Sequence, residues 1–274
     1  MIPDSKTCVY CGKPGGSKEH IWGKWSREHA LFRTERSAHA LVRFLDGTRT
    51  GPTVELKGAL ERPGSTRSQS LRIVCESCNN GWMSMIVEAA RPVLTRMNYG
   101  YWGRVTTGEA AALSRWIAMF TMSFEFADRE TVCVPQHVRE EFARGDDLGP
   151  DWLIAIGFAT PRTGLEPAAH RAFRVSIESG HEAMIQCTVF LFGRLICMSN
   201  HSVAGCPERL HRMAEDMKLC VIHPPGAEII KPLWEHDESS VDMIIQSMSD
   251  AISWRNDSSE RRADLRDSSQ GLVS

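Results

Sequence analysis

The sequence predicts an α+β fold in two parts, and three observations predict it. Four cysteines stand as two remote Cys-x-x-Cys pairs, Cys8/Cys11 and Cys75/Cys78, inside the first hundred residues. Apolar runs of strand length (Leu71–Val74, Trp152–Ala159, Met184–Met198) are interspersed with helical periodicity after Cys78 and after Thr107. Charge changes sign along the chain: residues 1–104 carry 16 Lys and Arg against 9 Asp and Glu, and the remainder carries 16 against 25. These features divide the chain into an N-terminal unit at 1–104, an α+β domain at 105–255 and a tail at 256–274. The tail is rich in Ser, Asp and Arg and has too little to bury to stay ordered.

Composition narrows the class. Hydrophobic residues make up 42% and charged residues 24% of 274, the balance of a soluble globular protein. No apolar run reaches the roughly 20 residues of a membrane span. Met1-Ile2-Pro3-Asp4-Ser5 leads toward the first Cys without an apolar leader core, so the expected compartment is the cytoplasm. Nine cysteines cannot all pair as disulfides, and in a reducing compartment the two close pairs read as metal ligands. Together they supply four thiolates, the tetrahedral set of a structural Zn²⁺. A redox pair is the competing reading, but that motif opens a helix in a βαβ unit and neither pair does so here. Cys133, Cys187, Cys197, Cys206 and Cys220 lie in or beside apolar segments and read as small buried hydrophobes.

Each element follows from local chemistry. Tyr10-Cys11-Gly12-Lys13 resembles a zinc knuckle, with Gly12 tolerating the tight turn. Val42–Leu45 and Val54–Leu56 around Asp46-Gly47 read as a short hairpin, and Pro63–Ser70 as a loop. Leu71–Val74 is a strand into the second Cys pair. A helix follows from about Asn80 to Ala90, with Met83, Ile86, Val87 and Ala90 on one face; Pro92 disfavours helical geometry at Arg91 and predicts a stop or kink there. Two strands, a turn and a helix clipped to zinc make a ββα unit. Thr107 suits the N-cap of a second helix, Glu109 to about Asp128, whose apolar positions are dense enough for a core helix. Pro135 suits the first turn of a third, reaching about Arg144. Strands are expected at Trp152–Ala159, Ala172–Glu178, Met184–Met198 with a break near Gly193, and Ile229–Trp234. An amphipathic helix is expected at 239–254.

The residues suited to chemistry lie beside the cysteines. Lys18-Glu19-His20-Ile21 places an acid next to an imidazole shortly after the first pair, and Asn79 adjoins the second. If one zinc joins both pairs, Glu19, His20 and Asn79 enter one neighbourhood. Carboxylate and amide oxygens suit a hard cation such as Mg²⁺ or Mn²⁺, and a neutral imidazole suits a general base near pH 7. The bland alternative for Glu19-His20 is a solvated surface pair. Lys18, Lys24, Arg27 and Arg72, with Arg43, Arg49 and Arg67, could hold a phosphate backbone. Trp22, Trp25 and Trp82 suit either base stacking or a small core, with core favoured for Trp82.

Cys8/Cys11, Glu19-His20 and Cys75/Cys78-Asn79 together resemble the HNH, or ββα-metal, endonucleases, and most closely their endonuclease VII-like, zinc-clamped branch. The resemblance covers roughly residues 6–95, with about 40 poorly matched residues inside it. It implies that His20 activates water while Glu19 and Asn79 hold one divalent ion, Mg²⁺ or Mn²⁺, on the scissile phosphate. It implies a DNA partner, with RNA as a variant, and no membrane. The C-terminal domain would be available for oligomerisation. Two positions depart from the family pattern: Ser70 stands where an Asn often orients the base, and Glu19 is one methylene longer than the common Asp. His29 and His39 are the available substitutes. The reading from another class is a non-catalytic zinc module that binds nucleic acid or a partner protein.

Overall fold

The computed structural model describes residues 7–20, 24–27, 36–37, 42–44, 53–55, 62–63, 70–127, 132–160, 168–176, 182–203, 208–225 and 234–250. Trp22, His29, His39, the Asp46-Gly47 turn, residues 64–69, Cys206, most of the expected strand at 229–234 and the tail at 256–274 lie outside the described residues. The chain combines helix and sheet, as expected.

The N-terminal part is built on two antiparallel strands, β1 (Ser17–His20) and β6 (Ser70–Val74), which pair Ser17 with Val74, Glu19 with Leu71 and His20 with Ser70. Between them in sequence lie β2 (Arg36–Ser37), β3 (Val42–Phe44), β4 (Thr53–Glu55) and β5 (Arg62–Pro63), paired β2 with β5 and β3 with β4. After β6 comes one turn of helix, α1 (Glu76–Cys78), and a π-helical turn over Asn79–Met83. Gly81 leaves helical geometry there, at φ −94° and ψ −115°. α2 then runs Ser84–Asn98. Of the stop or kink expected at Pro92, the stop is corrected: the helix continues through it for six more residues. Pro92 is exposed, so its missing N–H does not strand a buried carbonyl partner, while Ile86, Ala90, Val93, Leu94 and Met97 are buried along one face. Burial of that face outweighs the roughly 3 kcal/mol that proline costs a helix interior.

α3 spans Thr107–Phe124, and its N-cap is Thr106 rather than Thr107. The Thr106 hydroxyl accepts from the Glu109 N–H at 3.2 Å, and the Glu109 carboxylate accepts from the Thr106 N–H at 2.9 Å. This reciprocal box moves the cap one residue earlier than expected and the first helical residue from Glu109 to Thr107. The helix ends at Phe124 in a 3-10 turn, Glu125–Ala127, short of the expected Asp128. α4 (Gln136–Arg144) begins just after Pro135, as expected, and ends at Gly145 with φ +99°.

The C-terminal part is a sheet in the order β11-β7-β10-β9-β8, with β12 beside β7. The strands are β7 (Trp152–Ala159), β8 (Ala168–Ser176), β9 (Glu182–Phe192), β10 (Leu195–Ser202), β11 (Cys220–His223) and β12 (Glu235–His236). The expected break in the 184–198 run is the tight turn at Gly193, φ +60°. The expected 172–178 strand begins four residues earlier. Helix α5 (Glu208–Asp216) and β11 were not anticipated; α6 (Glu238–Asp250) was, one residue late.

β7 is buried at every position because both sheet faces are covered. Ile154, Ile156, Phe190, Phe192 and Cys197 join a core with α2 and α3. Leu153, Ala155, Val189, Leu191 and Met198 join a second core with Leu210 and Met213 of α5 and Val241 and Ile244 of α6. The first core also contains Cys8, Val9, Tyr10, Val74 and Met83. It therefore crosses the division expected between residues 104 and 105. The Tyr10 hydroxyl bonds the Met119 carbonyl (3.1 Å) and the Ser123 hydroxyl (2.9 Å) deep inside α3.

Candidate metal centre

The cysteine pairs, 64 residues apart at their nearest members, meet in space. The Sγ atoms of Cys8, Cys11, Cys75 and Cys78 all lie within 4.8 Å of one another, and Cys11 and Cys75 approach to 3.6 Å. A tetrahedron of Zn–S bonds of about 2.3 Å has an edge of about 3.8 Å. The donor set is thiol only, and the spacing fits, so these four residues could hold a zinc ion.

Backbone geometry explains why they converge. The Gly12 N–H donates to the Cys8 carbonyl at 2.9 Å and the Cys8 N–H to the Lys13 carbonyl at 2.7 Å, closing a turn that Gly12 permits at φ +69°. Across the gap, the Val9 N–H donates to the Ile73 carbonyl (2.9 Å) and the Gly16 N–H to the Val74 carbonyl (3.1 Å). These two bonds hold the first loop against the strand that leads into the second. On the second loop, the Asn79 N–H donates to the Cys75 carbonyl at 3.0 Å.

The thiols differ in acidity. Burial pushes Cys75 up, but hydrogen bonds from Ser77 and the Cys78 backbone, with its thiol neighbours, bring it down to about 6. The Ser77 hydroxyl lies 3.1 Å from its sulfur. Burial raises Cys78 and Cys11 above the ordinary thiol value. A dication at the centre would deprotonate all four. Cys133, Cys197 and Cys220 are raised chiefly by burial, with the Glu125 carboxylate adding to the effect at Cys133. They behave as the packing residues the sequence suggested.

The acid-imidazole pair sits on β1, with Glu19 opposite Leu71 and His20 opposite Ser70. The structure thus brings Ser70, where the family pattern often has Asn, to the register position of His20. Asn79 is half-buried, and its Nδ2 donates to the Ser17 hydroxyl at 3.0 Å. The residue beside the second pair is thereby tied to the strand carrying Glu19 and His20. Lys18 is on β1, and Lys24 and Arg27 lie on a single 3-10 turn. Arg72 is exposed on β6 and donates to the Gly16 carbonyl at 3.2 Å.

Trp82 packs edge-on between Tyr10 (4.9 Å between centroids) and Phe142 (5.6 Å), a core position as favoured. Trp25 is half-buried against Phe192, with the Arg91 guanidinium 5.4 Å from its ring centre. Sequence reading missed Ser17 and Ser77. Serines at these spacings carry no motif, and only the fold reveals their partners. Among the described residues, no helix is long and apolar enough to cross a membrane. Comparison with family models, with curated proteins and with solved structures found no match.

Proposed function

We propose that this chain is a metal-dependent endonuclease that hydrolyses phosphodiester bonds of DNA. In this reading, zinc on Cys8, Cys11, Cys75 and Cys78 is structural, His20 is the general base, and Glu19 with Asn79 holds a catalytic Mg²⁺ or Mn²⁺. The observation that carries it is the Asn79–Ser17 hydrogen bond, which ties the residue after the second Cys pair to the strand that carries Glu19 and His20, although about 60 residues separate them in sequence. The order of elements, two antiparallel strands and then a helix around the cysteines, agrees with the ββα resemblance.

Hydrolysis needs a deprotonated water, neutralised phosphoryl oxygens and a stabilised leaving alkoxide. A divalent ion, when bound, supplies Lewis-acid charge to the last two. His20 takes the proton from water, since imidazole titrates near neutrality. Asn79 commits its nitrogen to Ser17, and its oxygen is the atom suited to a hard cation. Ser70, opposite His20 on β6, stands where an orienting partner for the base is needed.

The test is cleavage of supercoiled plasmid with Mg²⁺ or Mn²⁺ by wild type and His20→Ala. Loss of cleavage in the variant, with zinc content and circular dichroism unchanged, supports the reading; equal cleavage by the variant removes His20 from the chemistry. A wild type that binds DNA yet cleaves none with either metal would favour the non-catalytic zinc module. The Ser70 departure is the observation on that side, because a hydroxyl orients imidazole less well than a carboxamide.

A further inference from the structure

α2 ends in a closed cap. Gly100 takes the left-handed conformation there, at φ +80°. The Gly100 N–H donates to the Met97 carbonyl at 2.9 Å and the Tyr101 N–H to the Arg96 carbonyl at 3.0 Å, the two bonds that close a glycine C-cap. In such caps the residue in the place of Tyr101 frequently packs its side chain back onto the helix. Here Tyr101 is 71% exposed although its backbone is held, and Tyr99 beside the glycine is 43% exposed. Trp102 anchors the loop by meeting Phe158 of β7 edge-on at 5.2 Å.

Tyr99, Tyr101 and Trp234 (47%) are the exposed large aromatic side chains among the described residues, and one cation links them. The Arg194 guanidinium lies against Gly100, so close that a Cβ there would collide with it. It sits 4.3 Å from the centre of the Phe158 ring and bonds both the Ala159 carbonyl and the carboxylate of Glu235, the neighbour of Trp234. The Lys218 ammonium stands 4.2 Å from the centre of the Trp234 ring. Residues 89–104 contain Arg91, Arg96 and Arg104 and no Asp or Glu, and Arg104 is exposed. Glu109 pairs with Arg96 and Glu235 with Arg194, so these two acids offset only part of the charge of Arg96, Arg104, Arg194 and Lys218. Asp237 is committed to the start of α6, where it accepts from Ser239 and Ser240. Single exposed apolar groups are ordinary on a surface. Flat rings gathered on a fixed cap with cations among them suit a single nucleic-acid strand, whose bases offer π-faces and whose phosphates take up positive charge.

We propose that Tyr99, Tyr101 and Trp234 form a stacking platform for single-stranded DNA, with Arg104, Arg194 and Lys218 supplying charge to its phosphates. α2 starts just past the cysteine centre and carries the cap about 22 Å from that start, a span of about seven nucleotides at helical spacing. The proposal rests on the nuclease reading for the choice of DNA, and deepens it by making a strand with an unpaired stretch the substrate.

The full-length, zinc-loaded protein is titrated with a fluorescein-labelled 20-nucleotide oligothymidylate without added Mg²⁺ or Mn²⁺, so that binding is read apart from cleavage. Tyr101→Ala and Trp234→Ala are each expected to bind about fivefold or more weakly, and the double variant Tyr99→Ala, Tyr101→Ala at least about tenfold. Tyr101→Phe keeps the ring and is expected to bind like wild type. A strand with the same phosphates and abasic sites in place of thymine is expected to bind at least about tenfold more weakly. A duplex of the same length, whose base faces are already stacked, is expected to bind more weakly than the single strand. Zinc content and circular dichroism check that the variants fold.

A folded double variant with wild-type affinity, or an abasic strand or duplex bound as tightly as oligothymidylate, overturns the platform. So does a wild type with no affinity for the strand, which would leave the patch to a partner protein. Cleavage that depends on His20, with strand binding unaltered in the tyrosine variants, sinks the platform alone. Strand binding that depends on the tyrosines, with no cleavage by the wild type, sinks the nuclease reading alone.

Discussion

At the scale of single residues, the buried polar groups behind the sheet are the most informative. Glu125 and Arg139 form an ion pair at 2.8 Å with both side chains almost fully buried, and Glu125 also accepts from the Cys133 and Val134 N–H groups at 3.2 and 3.1 Å. The cost of burying the carboxylate is offset because its remaining lone pairs are used. His201 is 1% exposed, its ring 4.8 Å from that of Trp152, and its Nε2 has no hydrogen-bond partner among the described residues. Burial, with the Arg139 guanidinium and the His137 ring nearby, lowers its pKa to about 4. An unfolded His titrates near 6.5, so as pH falls the unfolded chain takes up a proton that the folded chain resists. The stability tied to neutral His201 is complete above pH 6.5 and is lost progressively toward pH 4, to a total of about 3 kcal/mol. Urea unfolding at pH 7 and pH 5 checks this: the wild type should lose about 2 kcal/mol more than His201→Gln over that interval. Comparing the two proteins cancels protonation of the cysteine cluster, which both share. Equal losses would mean that His201 takes up a proton as readily in the fold as in the unfolded chain.

At the scale of elements, what was legible followed how local the determining interaction is. β7 and α4 fell where their own residues put them, because an apolar run and a Pro at the helix start need no remote partner. The N-cap of α3 was off by one because Thr106 and Thr107 are both acceptable caps, and only Glu109 three residues after Thr106 decides between them. α5 escaped because its buried face, among the described residues, is Leu210, Met213 and Ala214, a stripe too narrow to stand out in a charged segment. α2 was cut short because Pro92 argues locally for a stop, while the buried Val93, Leu94 and Met97 beyond it argue through contacts the sequence does not display. That competition has a measurable residue. Pro92→Ala restores a donor on the exposed side of a helix already held by packing, so it should raise stability by about 1–3 kcal/mol. The readout is the urea midpoint at unchanged slope. A midpoint that stays put or falls would show that the proline costs this helix nothing where it stands.

At the scale of the whole molecule, the cysteine site was readable and its attachment to the rest was not. Two Cys-x-x-Cys pairs announce a common centre wherever they stand, whereas nothing at Tyr10 announces that its hydroxyl will bond to α3 at Met119 and Ser123. A division at 104 and 105 follows from charge, which is a surface property. The core follows from α3, whose buried positions surround the helix and need cover on several sides. Part of that cover comes from Val9, Tyr10, Met83, Leu94 and Met97, all in the same packed cluster as Phe190 and Phe192 of the sheet. The cysteine centre should therefore stabilise the sheet as well as its own loops. Thermal unfolding of the metal-loaded chain should show one transition followed alike by zinc release and by tryptophan fluorescence. Stripping the metal with a chelator should lower the midpoint of that same transition, and should raise hydrogen exchange at Ile154–Ile156 and at Phe190–Phe192, remote in sequence from any cysteine ligand. Exchange at those strands that stays slow while residues 7–20 and 70–90 open would instead divide the molecule where its charge divides. The ties at Tyr10 argue for the single transition, because unfolding the knuckle alone would strand the buried Ser123 hydroxyl and uncover the inner face of α3.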